Sequence, residues 1–178
     1  MAPLIVRAAE LVNEPWPNGG GWTRQIYSEP SPHSPAQCSW RLSLATIDAT
    51  GPFSFLPGVQ RQLLVVSDNV LDLSIDGDIH TLGQGESVAF DGGASVECGY
   101  VSGVCTVLNL MTYRGIEGRL HVTTSPLSNA LALTVLDGQV DVLGERLQCL
   151  DTLIPGPATL SLRHRTARFA CVVVTNRT

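Results

Sequence analysis

The sequence predicts an all-β protein, a sandwich or barrel assembled from many short strands. Eleven prolines and 17 glycines divide the 178 residues into short runs rich in Val, Leu, Ile and Thr, the pattern of sheets joined by tight turns. Helical periodicity is weak throughout. A hairpin-like pattern also occurs twice, once in residues 69–83 and again in residues 129–144, each centred on an Asp-Gly pair and closing on Leu-Gly. Asp-Gly between alternating strands is a strong short-range hairpin signal, and its recurrence about 60 residues apart points to a duplicated β unit.

The elements follow in order. Leu4–Arg7 reads as a first strand. Next comes the loop Trp16-Pro-Asn-Gly-Gly-Gly-Trp-Thr-Arg24, in which three glycines free the backbone for positive φ and close approach, and a strand runs on through about Ser28. Residues 29–37 carry Pro30, Pro32 and Pro35 and read as a loop, with His33 solvated within it. Ser39–Ile47 alternates, so Trp40, Leu42 and Leu44 share one face while Arg41, Ser43 and Ala45 share the other. An Arg and a Ser among small side chains suggest a polar lumen, with an exposed outer face as the alternative. Residues 51–58 turn the chain into a strand over Val59–Ser67, where Arg61 leads into an apolar run and must snorkel outward or find a partner.

Each hairpin copy is followed by a strand ending in a Gly/Pro-rich turn, residues 90–93 in the first and 154–157 in the second. Between the copies, Cys105–Tyr113 places Val107, Asn109, Met111 and Tyr113 on one face. An amide among apolar neighbours there must find hydrogen-bond partners, either in the core or in a ligand. Ala158–Leu162 and Arg168–Thr175 supply the last strands.

Composition narrows the function. Hydrophobic residues make up 44% and charged residues 15%, which allows one compact domain or two small ones with a substantial core. The net charge of −5 and the lack of any Lys/Arg cluster argue against a nucleic-acid surface. All 11 basic residues are arginines, whose planar fork suits carboxylates. No apolar run is long enough to cross a membrane as a helix, and the N-terminal residues lack the pattern of a secretory leader. Five cysteines without a C-x-x-C pair (Cys38, Cys98, Cys105, Cys149, Cys171) behave as small hydrophobes, so the cytoplasm is the expected compartment.

Chemistry is sparse. His33, His80, His121 and His164 show no ligand-like spacing, so no metal and no other cofactor is expected. There is no G-x-S-x-G elbow, no phosphate loop and no dinucleotide fingerprint around the three glycines. A binding role rests on Asn18, Thr23, Arg41, Ser43, Arg61 and Asn109, with Trp16 and Trp40 as apolar walls.

The segments Trp16-Pro-Asn-Gly-Gly-Gly-x-Thr23-Arg24, Trp40-Arg41-x-Ser43-x-Ala45, Gly51-Pro-Phe-Ser54, Phe55-x-Pro57-Gly58-Val59-x-Arg61, Phe90-x-Gly92 and Asn109-x-Met111 resemble, in order and spacing, the HutD/Ves family of the cupin superfamily. The resemblance spans nearly the whole chain. It implies a compact bicupin, two cupin-like (RmlC-like jelly-roll) β-barrels in one chain, over about 1–112 and 113–178 with the termini open to exchange between them. It also implies a cytosolic regulator of bacterial histidine utilisation that binds a small anionic carboxylate, formylglutamate- or urocanate-like, without a metal.

Carried over residue by residue, the pocket comprises Trp16, Asn18, Gly20, Thr23, Trp40, Arg41, Ser43, Arg61 and Asn109, supported by Phe53 and Met111, with Arg61 as the carboxylate partner. The chain departs from the family pattern at Val107, where an Asp is frequent, at Gly93, where an acid is expected, and at Tyr113-Arg114, where Arg-Arg is expected. Fewer acids near an arginine leave its charge freer for an anion. Two alternatives are a metal-independent isomerase or epimerase on a small acid, needing His80 or a distant Glu as base, and a structural or interaction module whose lumen lacks both Arg41 and Arg61. The partners expected are a small anionic metabolite and a second copy of the chain as a homodimer, with neither nucleic acid nor membrane.

Overall fold

The computed structural model describes residues 2–31, 34–113, 115–156 and 162–176. The chain opens with β1 (Leu4–Val6) and a single 3-10 turn at Ala8–Glu10. Then come β2 (Glu14–Pro15), β3 (Gly21–Ser31), β4 (Ser34–Ile47), β5 (Gly51–Pro52) and β6 (Val59–Val65). The hairpin β7 (Leu71–Ile75) and β8 (Asp78–Leu82) leads to β9 (Ser87–Asp91), β10 (Val96–Val101) and β11 (Cys105–Tyr113). The chain ends with β12 (Ile116–Thr123), β13 (Ala132–Val142), β14 (Glu145–Leu147), β15 (Thr152–Ile154) and β16 (Arg163–Asn176). The all-β expectation is met.

Two compact units emerge, one built on Val12–Gly118 and the other on Met1–Leu11 with Arg119–Thr175. The first holds a six-stranded sheet, β2-β3-β4-β11-β6-β9, and a four-stranded sheet, β5-β10-β7-β8. Ala45, Ile47, Leu63, Val65 and Val107 from the larger sheet and Leu71, Leu73, Leu82, Val96 and Cys98 from the smaller form one apolar core. In the second unit the strand order is β1-β15-β13-β16-β12, with β14 added beside β13. Its core gathers Val135, Val140, Val142, Leu147, Leu153 and Phe169. Among the described residues no ladder closes a sheet on itself.

Several sequence expectations need correction. The proline-rich stretch is not all loop: β3 continues to Ser31, β4 begins at Ser34, and Pro30 pairs with Cys38. Beyond the short β2, this part of β3 has no outer neighbour among the described residues, and its register shifts around Glu29–Ser31. Edge positions and bulges are where a sheet tolerates proline. His33 lies outside the described residues, as does most of the strand expected over Ala158–Leu162. β16 starts at Arg163, five residues before the expected Arg168.

The two hairpin copies also fold differently. The first turns at Asp76-Gly77, with φ of 50° and 95° and β7 paired to β8 through Ile75 and Asp78. In the second, the turn has moved to Leu143-Gly144, with φ of 55° and 80°, and β14 pairs back onto Val140–Val142. Asp137-Gly138 instead forms a bulge where β13 changes register against β16. A Cβ on Gly138 would sit 2.6 Å from the Ala167 Cα, so glycine is needed there for close approach of two strands rather than for a turn.

Candidate functional site

The site is built on three neighbouring strands, β4, β11 and β6, with β11 in the centre. Their register sets Arg41 opposite Met111 and Met111 opposite Arg61, and in the next row pairs Ser43 with Asn109 and Asn109 with Leu63. Because side chains alternate across a strand, both rows face the same side of the sheet. There Arg41, Met111, Arg61, Asn109 and Leu63 line a cavity of about 450 Å³, within the range of small-molecule pockets. Ala45, Ile47 and Val107 continue the floor, while Trp16, Asn18, Phe53 and Leu56 come from the loops around it.

Arg61 dominates the electrostatics. It is 8% exposed, and its guanidinium lies between two aromatic rings, 5.3 Å from the Phe53 centroid and 5.1 Å from that of Phe90. Burial, reinforced by the nearby charge of Arg41, pushes its pKa down to about 10. Arg41 directs Nη2 at the Met111 sulfur, 3.2 Å away, a weak acceptor for a cation. The Nε atoms of both arginines, the Ser43 Oγ and the Asn109 Oδ1 are buried without a hydrogen-bond partner. Among the described residues neither arginine forms an ion pair. The acidic residue at the cavity is Glu14, which is exposed.

The eleven residues expected from the sequence divide into groups. Arg41, Arg61, Asn109, Met111, Phe53, Trp16, Asn18 and Thr23 all line the cavity. Three of them spend their polar groups on the loop itself. The Trp16 indole N–H donates to the Thr23 hydroxyl at 2.8 Å, and its ring meets Phe53 edge-on at 5.9 Å. Asn18 accepts from the Gly20 N–H and donates to the Pro52 carbonyl, both at 3.1 Å.

Gly20, Trp40 and Ser43 are not lining residues. Trp40 lies on the opposite face of β4, its ring 5.1 Å from that of Tyr27 and tilted 40° to it, and Ser43 is buried within the wall. Within the glycine run, Gly21 has a role in the fold. At Gly21 (φ 153°) a Cβ would fall 2.0 Å from the Thr46 carbonyl oxygen, so the close approach is to the neighbouring strand.

Sequence reasoning passed over Phe90, the second ring against Arg61. Its signal was the Phe90-x-Gly92 motif, since Phe90 pairs with Arg61 in register. His80, the base considered for an enzyme, is on β8 in the smaller sheet, opposite Leu73, and does not line the cavity. A purely structural module was expected to lack both arginines from its lumen, and the cavity contains them both. Burial raises the thiol pKa of Cys98, Cys105 and Cys171, the reverse of an activated nucleophile. Among the described residues no group of three His, Cys, Asp or Glu side chains is placed to hold a metal, and no helix is long and apolar enough to cross a membrane.

The HutD family model matches residues 8–170. The chain belongs to the HutD family. A HutD structure from Pseudomonas fluorescens SBW25, determined in a formate condition, is 31% identical and superposes with a TM-score of 0.82, covering 99% of this chain and all of that one. A conserved protein of unknown function from Pseudomonas aeruginosa PAO1 is 25% identical, with a TM-score of 0.80 over 98% of this chain and 99% of that one. A cupin 2 conserved barrel domain protein from Leptotrichia buccalis, at 11% identity and a TM-score of 0.60 over 98% and 96% of the two chains, shows that the fold is cupin-like.

Among sequence relatives, an uncharacterized 21.2 kDa protein in the hutC 3′ region of Pseudomonas putida is 33% identical over 108 residues, 60% of this chain and 56% of that protein. Protein Ves from Citrobacter koseri is 34% identical over 101 residues, 56% and 52% of the two chains. The chain thus spans about half the length of the curated relatives it matches.

Proposed function

We propose that this HutD-family chain is a small-molecule-binding protein whose cavity takes up a small anionic carboxylate without a metal. The observation that carries the reading is the pair Arg41 and Arg61, both at the cavity and both without an acidic partner among the described residues. A buried guanidinium facing rings and a thioether is left with unmet hydrogen-bonding capacity, and a carboxylate meets it with charge-assisted, bidentate bonds in a low-dielectric setting. Phe53 and Phe90 hold the Arg61 fork in place by cation–π contact.

The P. putida relative in the hutC 3′ region supports a role in histidine utilisation. On that reading the occupant is an acid of the pathway, formylglutamate- or urocanate-like, and binding reports its level rather than transforming it. On the same reading the two compact units would be the two cupin-like barrels of a bicupin, and the free cysteines suit a cytoplasmic setting. The partners of the reading are the metabolite and, at most, a second copy of the chain. Isothermal titration with urocanate, N-formylglutamate and unrelated small carboxylates tests it. Saturable binding of at least one acid, lost in Arg61→Met, supports the proposal, and no binding to any of them at millimolar concentration overturns it.

A further inference from the structure

The two rows of the cavity floor differ in chemistry. Arg41, Met111 and Arg61 form a cationic row, and one step along the strands Asn109, with Ser43 beside it in the wall, forms a neutral one. Same-face neighbours two residues apart on a strand lie about 7 Å from one another. In the neutral row Asn109 is 5% exposed and Ser43 is 1% exposed, and the Oδ1 of the first and the Oγ of the second have no partner. Leu63 stands on the other side of Asn109, Gln25 of β3 stands beside Ser43, and Val107 and Ala45 form the next row along. A buried acceptor left unpaired is costly, and native proteins hold such groups for a ligand, a water or a strained role.

We infer that Asn109, backed by Ser43 in the wall, marks a second, neutral subsite that selects an acid carrying a hydrogen-bond donor, an N–H or O–H, a few bonds from its carboxylate. This rests on the carboxylate reading above and adds specificity to it. The anionic end lies across Arg41 and Arg61, and the donor reaches beyond Met111 to the Asn109 side-chain carbonyl, with Ser43 packed behind it in the wall. A site built to hydrogen-bond a substrate group rejects the analogue lacking it, because the site's own polar atoms are then left unpaired. An acid with an apolar tail should therefore bind through the arginines alone, and weakly.

The test compares straight-chain acids bearing a β-, γ- or δ-hydroxyl with the same acids carrying a methyl in place of the hydroxyl, titrated calorimetrically into the full chain. At least one hydroxy acid should bind about 10-fold or more tighter than its methyl counterpart. Ser43→Ala should narrow that ratio and Asn109→Leu should abolish it. Equal affinity within all three wild-type pairs overturns the inference and leaves the carboxylate reading standing. Failure of every acid to bind overturns both. The wild-type comparison stands without either variant, so a poorly folding Asn109→Leu does not weaken the test.

Discussion

Arg7 and Arg61 are both arginines held against a β-sheet, and they meet their surroundings in opposite ways. Arg7 reaches across 144 residues of sequence to Asp151 at 2.8 Å, to the Arg146 carbonyl at 2.8 Å and to the Glu145 carboxylate. Asp151 in turn accepts the backbone N–H groups of Ala8 and Gln148, both at 2.9 Å. Burial alone would raise the Asp151 pKa, but the bonds from Gln148, Arg7 and Ala8 outweigh it and hold the carboxyl below its ordinary value. This cluster fixes the residues just after β1 to the chain just before β15, and each acceptor in it has a donor.

Arg61 has ring faces and a neighbouring cation instead. A charge that serves only the fold is completed by the fold, as at Arg7. A charge left incomplete inside a cavity destabilises the protein, and on the proposed function a bound anion makes it good.

That contrast can be broken or sharpened by mutation. The largest effect is expected at the cavity: Arg61→Met should weaken carboxylate binding by about 100-fold or more, the loss of two charge-assisted hydrogen bonds. Its thermal midpoint should hold or rise, since a buried unpaired charge is replaced by an apolar chain. A large loss of stability on calorimetric melting would erase the distinction between the two arginines. Next in size, Asp151→Ala should lower stability by roughly 3 kcal/mol by stranding its donors, with carboxylate affinity unchanged by titration.

The same two groups predict opposite pH behaviour. Asp151 has a folded pKa below its unfolded value, so its contribution is fully present above about pH 4 and is lost as pH falls through the lower folded value. Acid unfolding of Asp151→Asn should therefore be flatter than wild type below about pH 4. On the proposed function Arg61 carries the charge that holds the ligand, so affinity should stay level through neutral pH and fall as pH rises through about 10. The smallest effect belongs to Asn18→Ala, which should cost about 1 kcal/mol by releasing the loop and weaken binding only a few-fold.

Much of this was legible from residue alternation. Period-two spacing put Arg41 and Ser43 on one face, and Asn109 and Met111 on one face, and the register then made those faces one floor. What escaped were outcomes decided by neighbours distant in sequence. Trp16, Asn18 and Thr23 carry the polar groups of a ligand contact, but they satisfy one another and the adjacent turn. Asp137-Gly138 carries a strong local hairpin signal, yet pairing of β13 with three partners moved the turn onward to Leu143-Gly144. The Arg7–Asp151 cluster had no local signal, because its members meet only once β1 pairs with β15.

The central claim is that Arg61 is kept unpaired for an anion, and ligand-linked stability tests it most directly. Unfolding midpoints of wild type, Asp151→Asn and Arg61→Met are followed as one small carboxylate is raised from micromolar to millimolar concentration at constant ionic strength. A ligand that binds only the native state must raise the midpoint. Wild type and Asp151→Asn should climb in parallel from different starting points while Arg61→Met stays flat; an equal climb in all three would contradict the claim.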